Sequence, residues 1–245
     1  MSFKQKVAVV TGSAKGLGKA LALSLSRDKF TVVVQYNKSK NEAEAVLSQI
    51  KVSSPNSIVV CGDLTDEDSV HEIFTKILNK FGTVDLLVNN VGNFIYKKFS
   101  DTSNREFVDV LESNIYSTLF CTRAVLPVMR KNKYGNIINV GAVGADLATI
   151  REKSTPYFIA KNALYFLTKM IAWEEAGNGI HINMISPGSL VEDIFDASQF
   201  PMGRSAGYED VVKVLRFLTS QDAYYINGAN IEVAGAFIPG LSEGK

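Results

Sequence analysis

Two cysteines, Cys61 and Cys121, in 245 residues are too few for the disulfide framework that small secreted domains rely on. Both read as small buried residues rather than nucleophiles. The two histidines, His71 and His181, have no companions at ligand spacing, so no metal site is expected. Charge of one sign is also lacking: 26 Lys and Arg face 25 Asp and Glu. A net charge of +1 supplies no long-range field to gather a nucleic acid or an anionic membrane, and neither is expected as a partner. No run approaches the roughly 18 apolar residues of a membrane span. The stretch after Met1-Ser2-Phe3-Lys4-Gln5-Lys6 ends at Thr11-Gly12-Ser13, too soon for the apolar core of a signal peptide. A cytoplasmic location is the expectation. No internal repeat, low-complexity tract, charge block or linker marks a boundary, so residues 1–245 read as one domain.

The chain is nonetheless 46% hydrophobic, enough to build a core. Seven short apolar runs recur: Val7–Val10, Thr31–Val34, Ser57–Val60, Asp85–Val88, Asn136–Asn139, Ile180–Ile185 and Asn230–Val233. Most are continuous rather than alternating, the pattern of parallel strands buried on both faces. Helical spacing of apolar residues fills the intervals, at Leu17 to Arg27, Glu42 to Ile50, Val70 to Phe81, Arg105 to Arg130, Pro156 to Ala176 and Glu209 to Leu218. Strand then helix, repeated, predicts an α/β fold of the doubly wound Rossmann type, a seven-stranded parallel sheet with helices on both faces. The least regular stretch, 189–206, leaves the carboxyl end of the sixth strand, where a substrate lid belongs.

Directly after the first strand stands Thr11-Gly12-Ser13-Ala14-Lys15-Gly16-Leu17-Gly18. Glycines at a strand-to-helix turn let backbone approach a pyrophosphate, whose charge the free N–H groups and helix dipole stabilise. A nucleotide cofactor follows. In the NAD form of this fold an acid about 20 residues on holds the ribose 2′-hydroxyl. Here the second strand ends Val34-Gln35-Tyr36-Asn37-Lys38-Ser39, without an acid. Lys15 and Lys38 can instead pair with a 2′-phosphate, and Asn37 and Ser39 can donate to it. The cofactor is read as NADP(H) rather than NAD(H).

Tyr157-Phe158-Ile159-Ala160-Lys161 puts a phenol and an ammonium one helical turn apart. A neighbouring cation favours the phenolate and brings tyrosine nearer a useful acid/base range. The spacing alone decides nothing, because Tyr36/Lys40 and Tyr165/Lys169 share it. Position does: Tyr157 begins the helix after the fifth strand and can face the crevice, Tyr165 lies deeper, and Tyr36 falls near the adenosine ribose.

Together these segments resemble the short-chain dehydrogenase/reductase family over essentially the whole chain. Thr11-Gly12-x-x-x-Gly16-x-Gly18 is similar to its cofactor motif, Asp63-Leu64 to its adenine contact, and Asn89-Asn90-Val91-Gly92 to its Asn-Asn-Ala-Gly segment. Asn114 falls at the asparagine of its long helix, Tyr157 and Lys161 at its catalytic pair, and Pro187-Gly188 at the turn beside the nicotinamide. Gly203-Arg204 and the run from Tyr225 to Val233 resemble the 3-oxoacyl-carrier-protein reductase branch. The resemblance implies that Tyr157 protonates a carbonyl oxygen as hydride arrives from NADPH. Lys161 would hold the nicotinamide ribose, and Asn114 would support a proton relay. It also implies a homodimer or a tetramer with two-fold axes, built on the stretch from Phe107 to Met129, which is apolar on more than one face.

The resemblance has gaps. Where the family places a serine that binds the substrate carbonyl, this chain has Ala142, and the interval to Tyr157 is about two residues longer than usual. Asp146, Ser154 or Thr155 could bend in to replace the donor; alternatively Asp146 is solvated and Ser154 or Thr155 caps the next helix. A threonine position after Pro187-Gly188 holds Glu192, with Ser189 as a stand-in. Of two basic positions expected to dock a carrier protein, Lys133 fills one and Asn178 the other, which makes an acyl-carrier substrate doubtful. Two other readings stay open: a pteridine reductase-like enzyme, whose relatives put aspartate where Ala142 stands, and an NADP(H)-binding sensor or scaffold without turnover.

Overall fold

The computed structural model describes residues 5–147, 150–190 and 199–238. Seven parallel strands, β1 (Val7–Val10), β2 (Thr31–Tyr36), β3 (Ile58–Cys61), β4 (Leu86–Asn89), β5 (Gly135–Val140), β6 (Ile180–Pro187) and β7 (Asn230–Val233), form one sheet in the order β3-β2-β1-β4-β5-β6-β7. The continuous apolar runs behave as their composition dictates: every residue of β1 and β4 is buried. Helices cover both faces. On one lie α1 (Gly16–Arg27), α2 (Lys40–Lys51) and α7 (Tyr208–Leu218); on the other α3 (Glu67–Phe81), α5 (Ser117–Asn132) and α6 (Thr155–Glu175). Each Val, Leu or Ile fully buried between sheet and helix contributes about 1.5–3 kcal/mol.

Local chemistry sets the helix ends. Asp66 accepts hydrogen bonds from Asp68 N and Ser69 N at the start of α3, and Gly82, at φ 69°, ends it in the left-handed conformation. A capping box of Ser103 and Glu106 opens α4 (Asn104–Leu111). Lys97 and Ser103 hold the Glu106 carboxyl down at about 2.

One long helix is predicted over 105–130, but the structure divides it. Between α4 and α5 stands a π-helical turn, Glu112–Tyr116. The Ser113 hydroxyl and the Asn114 amide both donate to the Val110 carbonyl, at 3.2 and 2.9 Å, crowding the acceptor of the regular ladder. Such a turn aims Asn114 toward the carboxyl edge of the sheet.

The cysteines part company. Cys121 is buried, and burial pushes its thiol up to about 12, so it has no nucleophilic character. Cys61 is exposed, contrary to expectation, because it ends the edge strand β3, beyond the covering helices. Its Sγ reaches the Asn37 carbonyl at 3.4 Å.

Candidate active site

The carboxyl ends of β1, β4, β5 and β6 meet at the switch point between β1 and β4, where ligands bind in sheets of this kind. The glycine turn runs from β1 into α1. Gly12 and Gly16 take φ of 60° and 52°, and a Cβ on Gly18 would stand 2.4 Å from the Gly12 carbonyl oxygen. That helix start, with Lys15 as an N-cap offering no side-chain bond and with no acid in the first turn, leaves N–H groups for an anion. Close approach at Gly12 and Gly18 and left-handed backbone at Gly12 and Gly16 call for glycine, and the turn suits the pyrophosphate of a dinucleotide.

Hydrogen bonds fix this turn from behind. Thr11 Oγ1 accepts from Asn90 N at 2.8 Å and Val91 N at 3.2 Å, and Asn90 Nδ2 donates to the Thr11 carbonyl at 3.0 Å. Gln35 accepts from Gly12 N at 2.9 Å and donates to the Gly62 carbonyl at 2.9 Å, tying the loops after β1 and β3 together. Ser13 turns inward, its Oγ donating to the Val10 carbonyl and accepting from Gln35 N while its own N–H donates to the Gln35 carbonyl at 3.0 Å, so neither donor is left for a cofactor. The sequence signals missed Gln35, whose place one before the ribose-binding segment was its only mark.

A cavity of about 510 Å³ opens beside the turn. Gly12 and Lys15 line it with Asn37, Lys38, Ser39, Asp63, Leu64 and Val91, which brings the residues expected at the adenosine end together. Asp63 is oriented by Thr65, whose N–H and Oγ1 donate at 2.9 and 2.7 Å, and by Asn37 at 3.1 Å; these bonds lower its carboxyl below the usual range. Lys15 pairs with Glu42 at 2.7 Å and Lys38 is exposed.

On the other side lies a second cavity of about 390 Å³, lined by Leu17, Ala142, Tyr157, Pro187 and Gly188. Tyr157 enters in the first turn of α6. Lys161, one turn on, is buried; its Nζ donates to the Val140 carbonyl at 2.7 Å and lies 5.4 Å from the Tyr157 ring centroid. Burial lowers the Lys161 ammonium to about 7. Asn114 is fully buried, its Nδ2 donating to the Asn93 carbonyl at 3.0 Å, and its Oδ1 has no hydrogen-bond partner. A Cβ on Gly92 would lie 2.2 Å from that Oδ1, so glycine is needed for Asn114 to reach this place.

A family match now joins the motifs: residues 6–199 match the short chain dehydrogenase family. The chain belongs to the short-chain dehydrogenase family, a family of oxidoreductases. It is 33% identical over 244 residues to 3-oxoacyl-[acyl-carrier-protein] reductase FabG of Staphylococcus aureus, covering 94% of this chain and 97% of that one. The FabG of Haemophilus influenzae is 32% identical over 240 residues, with 94% and 97% covered. Among solved structures, acetoin dehydrogenase YohF of Salmonella typhimurium superposes with a TM-score of 0.86 at 25% identity, with 95% and 96% covered.

The segment after β5 brings Ala142 to this second cavity. Gly144 N donates to Glu232 at 2.7 Å, Val143 N to the Pro187 carbonyl at 3.0 Å, and Asn162 to the Ala145 carbonyl. Those three ties leave the Ala142 methyl on the cavity wall. Asp146 is exposed, as the solvated alternative expects. Ser154 is fully buried and donates to the Arg151 and Glu152 carbonyls at 3.3 and 3.2 Å. It therefore neither enters the cavity nor caps α6 through its side chain. Thr155 is the first residue of α6. Glu192 and the rest of 191–198 in the expected lid lie outside the described residues; near its ends, Leu190 and Ala206 pair through a parallel bridge. Phe94, Tyr96 and Arg151, which sequence reasoning did not single out, also line this cavity; the extra length before Tyr157 was the only signal for Arg151.

Proposed function

We propose that the chain reduces a carbonyl to an alcohol with NADPH, using Tyr157, Lys161 and Asn114. The observation that carries this reading is Tyr157 on the cavity wall with Lys161 buried behind it, beside Pro187-Gly188. Bound NADPH supplies the hydride that reaches the carbonyl carbon. Tyr157 gives its hydroxyl proton to the carbonyl oxygen, and the phenolate regains a proton from solvent by way of the relay at Asn114. Lys161 is withdrawn from water, and hydroxyl acceptors on a bound cofactor would stabilise its charged form. Its ammonium then favours the phenolate. Gly16, Leu17 and Gly18 would hold the pyrophosphate side; Asn37, Lys38, Ser39 and Lys15 would hold the 2′-phosphate; Asp63, Leu64 and Val91 would line the adenine end; Asn90, Gly92, Pro187 and Gly188 the nicotinamide half.

The Ala142 methyl supports a second reading, an NADP(H)-binding sensor or scaffold of little turnover, since loss of one donor to a developing oxyanion costs about 10²–10³ in rate. A pteridine reductase-like activity has no matching observation, because no carboxylate stands at Ala142. A carrier-borne substrate also has little support: Lys133 Nζ donates to Asn178 Oδ1 at 2.9 Å, so one cation and one neutral amide occupy the proposed docking place. Exposed Phe166, Met170 and Trp173 on α6 favour a homo-oligomer, dimer or tetramer, and its location would be cytoplasmic.

The test is oxidation of NADPH and NADH against an acetoacetyl thioester, a diketone, a quinone and dihydropterin, with Tyr157→Phe and Ala142→Ser in parallel. Tyrosine-dependent oxidation supports the reductase. Tight NADPH binding with activity appearing only in Ala142→Ser supports the sensor.

A further inference from the structure

We propose that the substrate is a neutral ketone bearing an aromatic ring, and that Phe94 and Tyr96 recognise the ring; this rests on the carbonyl-reductase reading of Tyr157. Among the described residues, Phe94, Tyr96, Phe158, Tyr208 and Phe237 line the Tyr157 cavity with Tyr157 itself. These rings come from four segments: the loop after β4, the start of α6, the start of α7 and the stretch after β7. Ala142 and Val143 add apolar surface after β5.

Three of the rings form an ordered array. Phe94 meets the Tyr157 ring edge-on, with centroids 4.9 Å apart and planes at 86°, and lies near-parallel to Tyr96, with centroids 6.4 Å apart and planes at 23°. Phe94 and Tyr96 are 46% and 40% exposed, so each still offers ring surface to a ligand. Their positions are fixed from outside the array. The Arg151 guanidinium carbon lies 5.9 Å from the Phe94 centroid and 5.8 Å from that of Tyr96, and Lys153 Nζ lies 5.3 Å from the Tyr96 centroid, both within cation–π range. Lys97 N donates to the Lys153 carbonyl at 2.7 Å and Asn93 N to Ser113 Oγ at 3.0 Å, which ties the chain on both sides of Phe94 and Tyr96. Rings held in advance lose little freedom when a ligand arrives.

Aromatic faces are electron-rich and their edges electron-poor, so an aryl group set edge-on or offset against such a wall gains more than its apolar area supplies. Each ring pair adds a preference of about twofold to tenfold over an alkyl group of equal size. A saturated ring or an acyl chain fills the same space without that gain. Because Phe94 touches Tyr157, an aryl ring packed on the first places a carbonyl one or two bonds away beside the second.

The experiment compares 1-phenylpropan-2-one with 1-cyclohexylpropan-2-one as substrates of the purified protein with NADPH. In both, a methylene separates ring from carbonyl, so the carbonyls have similar intrinsic reactivity. Binding of 2-naphthol, which has no carbonyl, is followed by fluorescence polarisation. Phe94→Leu, Tyr96→Leu and Tyr157→Phe are measured beside the wild type. The expected result is a phenyl-to-cyclohexyl ratio of about tenfold in kcat/KM. Phe94→Leu and Tyr96→Leu should each move that ratio toward one and weaken 2-naphthol binding; a ratio taken within one variant is insensitive to how much of it folds. A ratio near one in the wild type, or one that both leucine variants leave intact, overturns the proposal, as does absence of both reduction and 2-naphthol binding. Reduction of both ketones that needs Tyr157 but shows no phenyl preference keeps the reductase and removes the aryl site. Binding of 2-naphthol that needs Phe94 and Tyr96, with no ketone reduced, keeps the aryl site and removes the reductase.

Discussion

Two tyrosine–lysine pairs of identical spacing stand on α6, and their surroundings differ. Lys161 lies 5.4 Å from the Tyr157 ring and Lys169 lies 5.3 Å from the Tyr165 ring, so the local helix geometry is the same. Lys161 is buried and bonded to the end of β5, while Lys169 is exposed. Tyr157 lines a cavity, whereas Tyr165 packs against Ala145, Leu164 and Met184. Spacing supplies a contact, and burial at the carboxyl edge of the sheet turns the contact into candidate chemistry.

The largest effect expected from breaking this contrast is at the phenols. Tyr157→Phe should lower kcat by about 10²–10⁴, the usual worth of a positioned general acid, while Tyr165→Phe should leave it within about twofold. Steady-state NADPH oxidation measures both. Equal losses would mean that helix packing, not proton transfer, underlies them.

Ala142→Ser should raise turnover by about 10–100-fold if the returned hydroxyl reaches the carbonyl beside Tyr157. The gain should vanish in the double variant with Tyr157→Phe, whereas a gain that survives would place the hydroxyl's effect elsewhere.

The lysines sharpen the comparison in stability. Burial depresses Lys161 from the ordinary lysine value near 10.4 to about 7, so between these values the unfolded chain binds more protons than the folded one. Stability of the cofactor-free protein should therefore fall as pH falls through that window and level off below about 7. Lys161→Met should remove this slope and raise stability near pH 7. Urea unfolding at pH 7 and pH 9 reads the difference.

The smallest effect belongs to an exposed lysine at the other cavity. Lys38→Ala should weaken NADPH binding by about fivefold to tenfold and leave NADH binding unchanged, consistent with a solvent-screened phosphate contact. Equal weakening of both would remove Lys38 from the 2′-phosphate site.

Much of this was legible because it is short-range. Val7–Val10 and Asn230–Val233 match their strands at both ends. Gly12, Gly16 and Gly18 announce their turn through a conformation and a close approach that other residues do not tolerate. The π-turn was not legible, since it arises when Ser113 and Asn114 compete for one carbonyl beside a segment from another strand. Cys61 was misread because a run of apolar residues does not say which strand lies at the edge.

The sequence by itself determined the alternation of strands and helices, the glycine turn and the presence of several Tyr–Lys pairs, because these depend on backbone sterics and periodicity. Only the tertiary structure decided which pair is buried at the cavity, that Ser154 turns away from it, and that Arg151 stacks beside Phe94 and Tyr96. Those outcomes depend on contacts between segments distant along the chain, whose packing sets burial, solvation and the direction of each side chain.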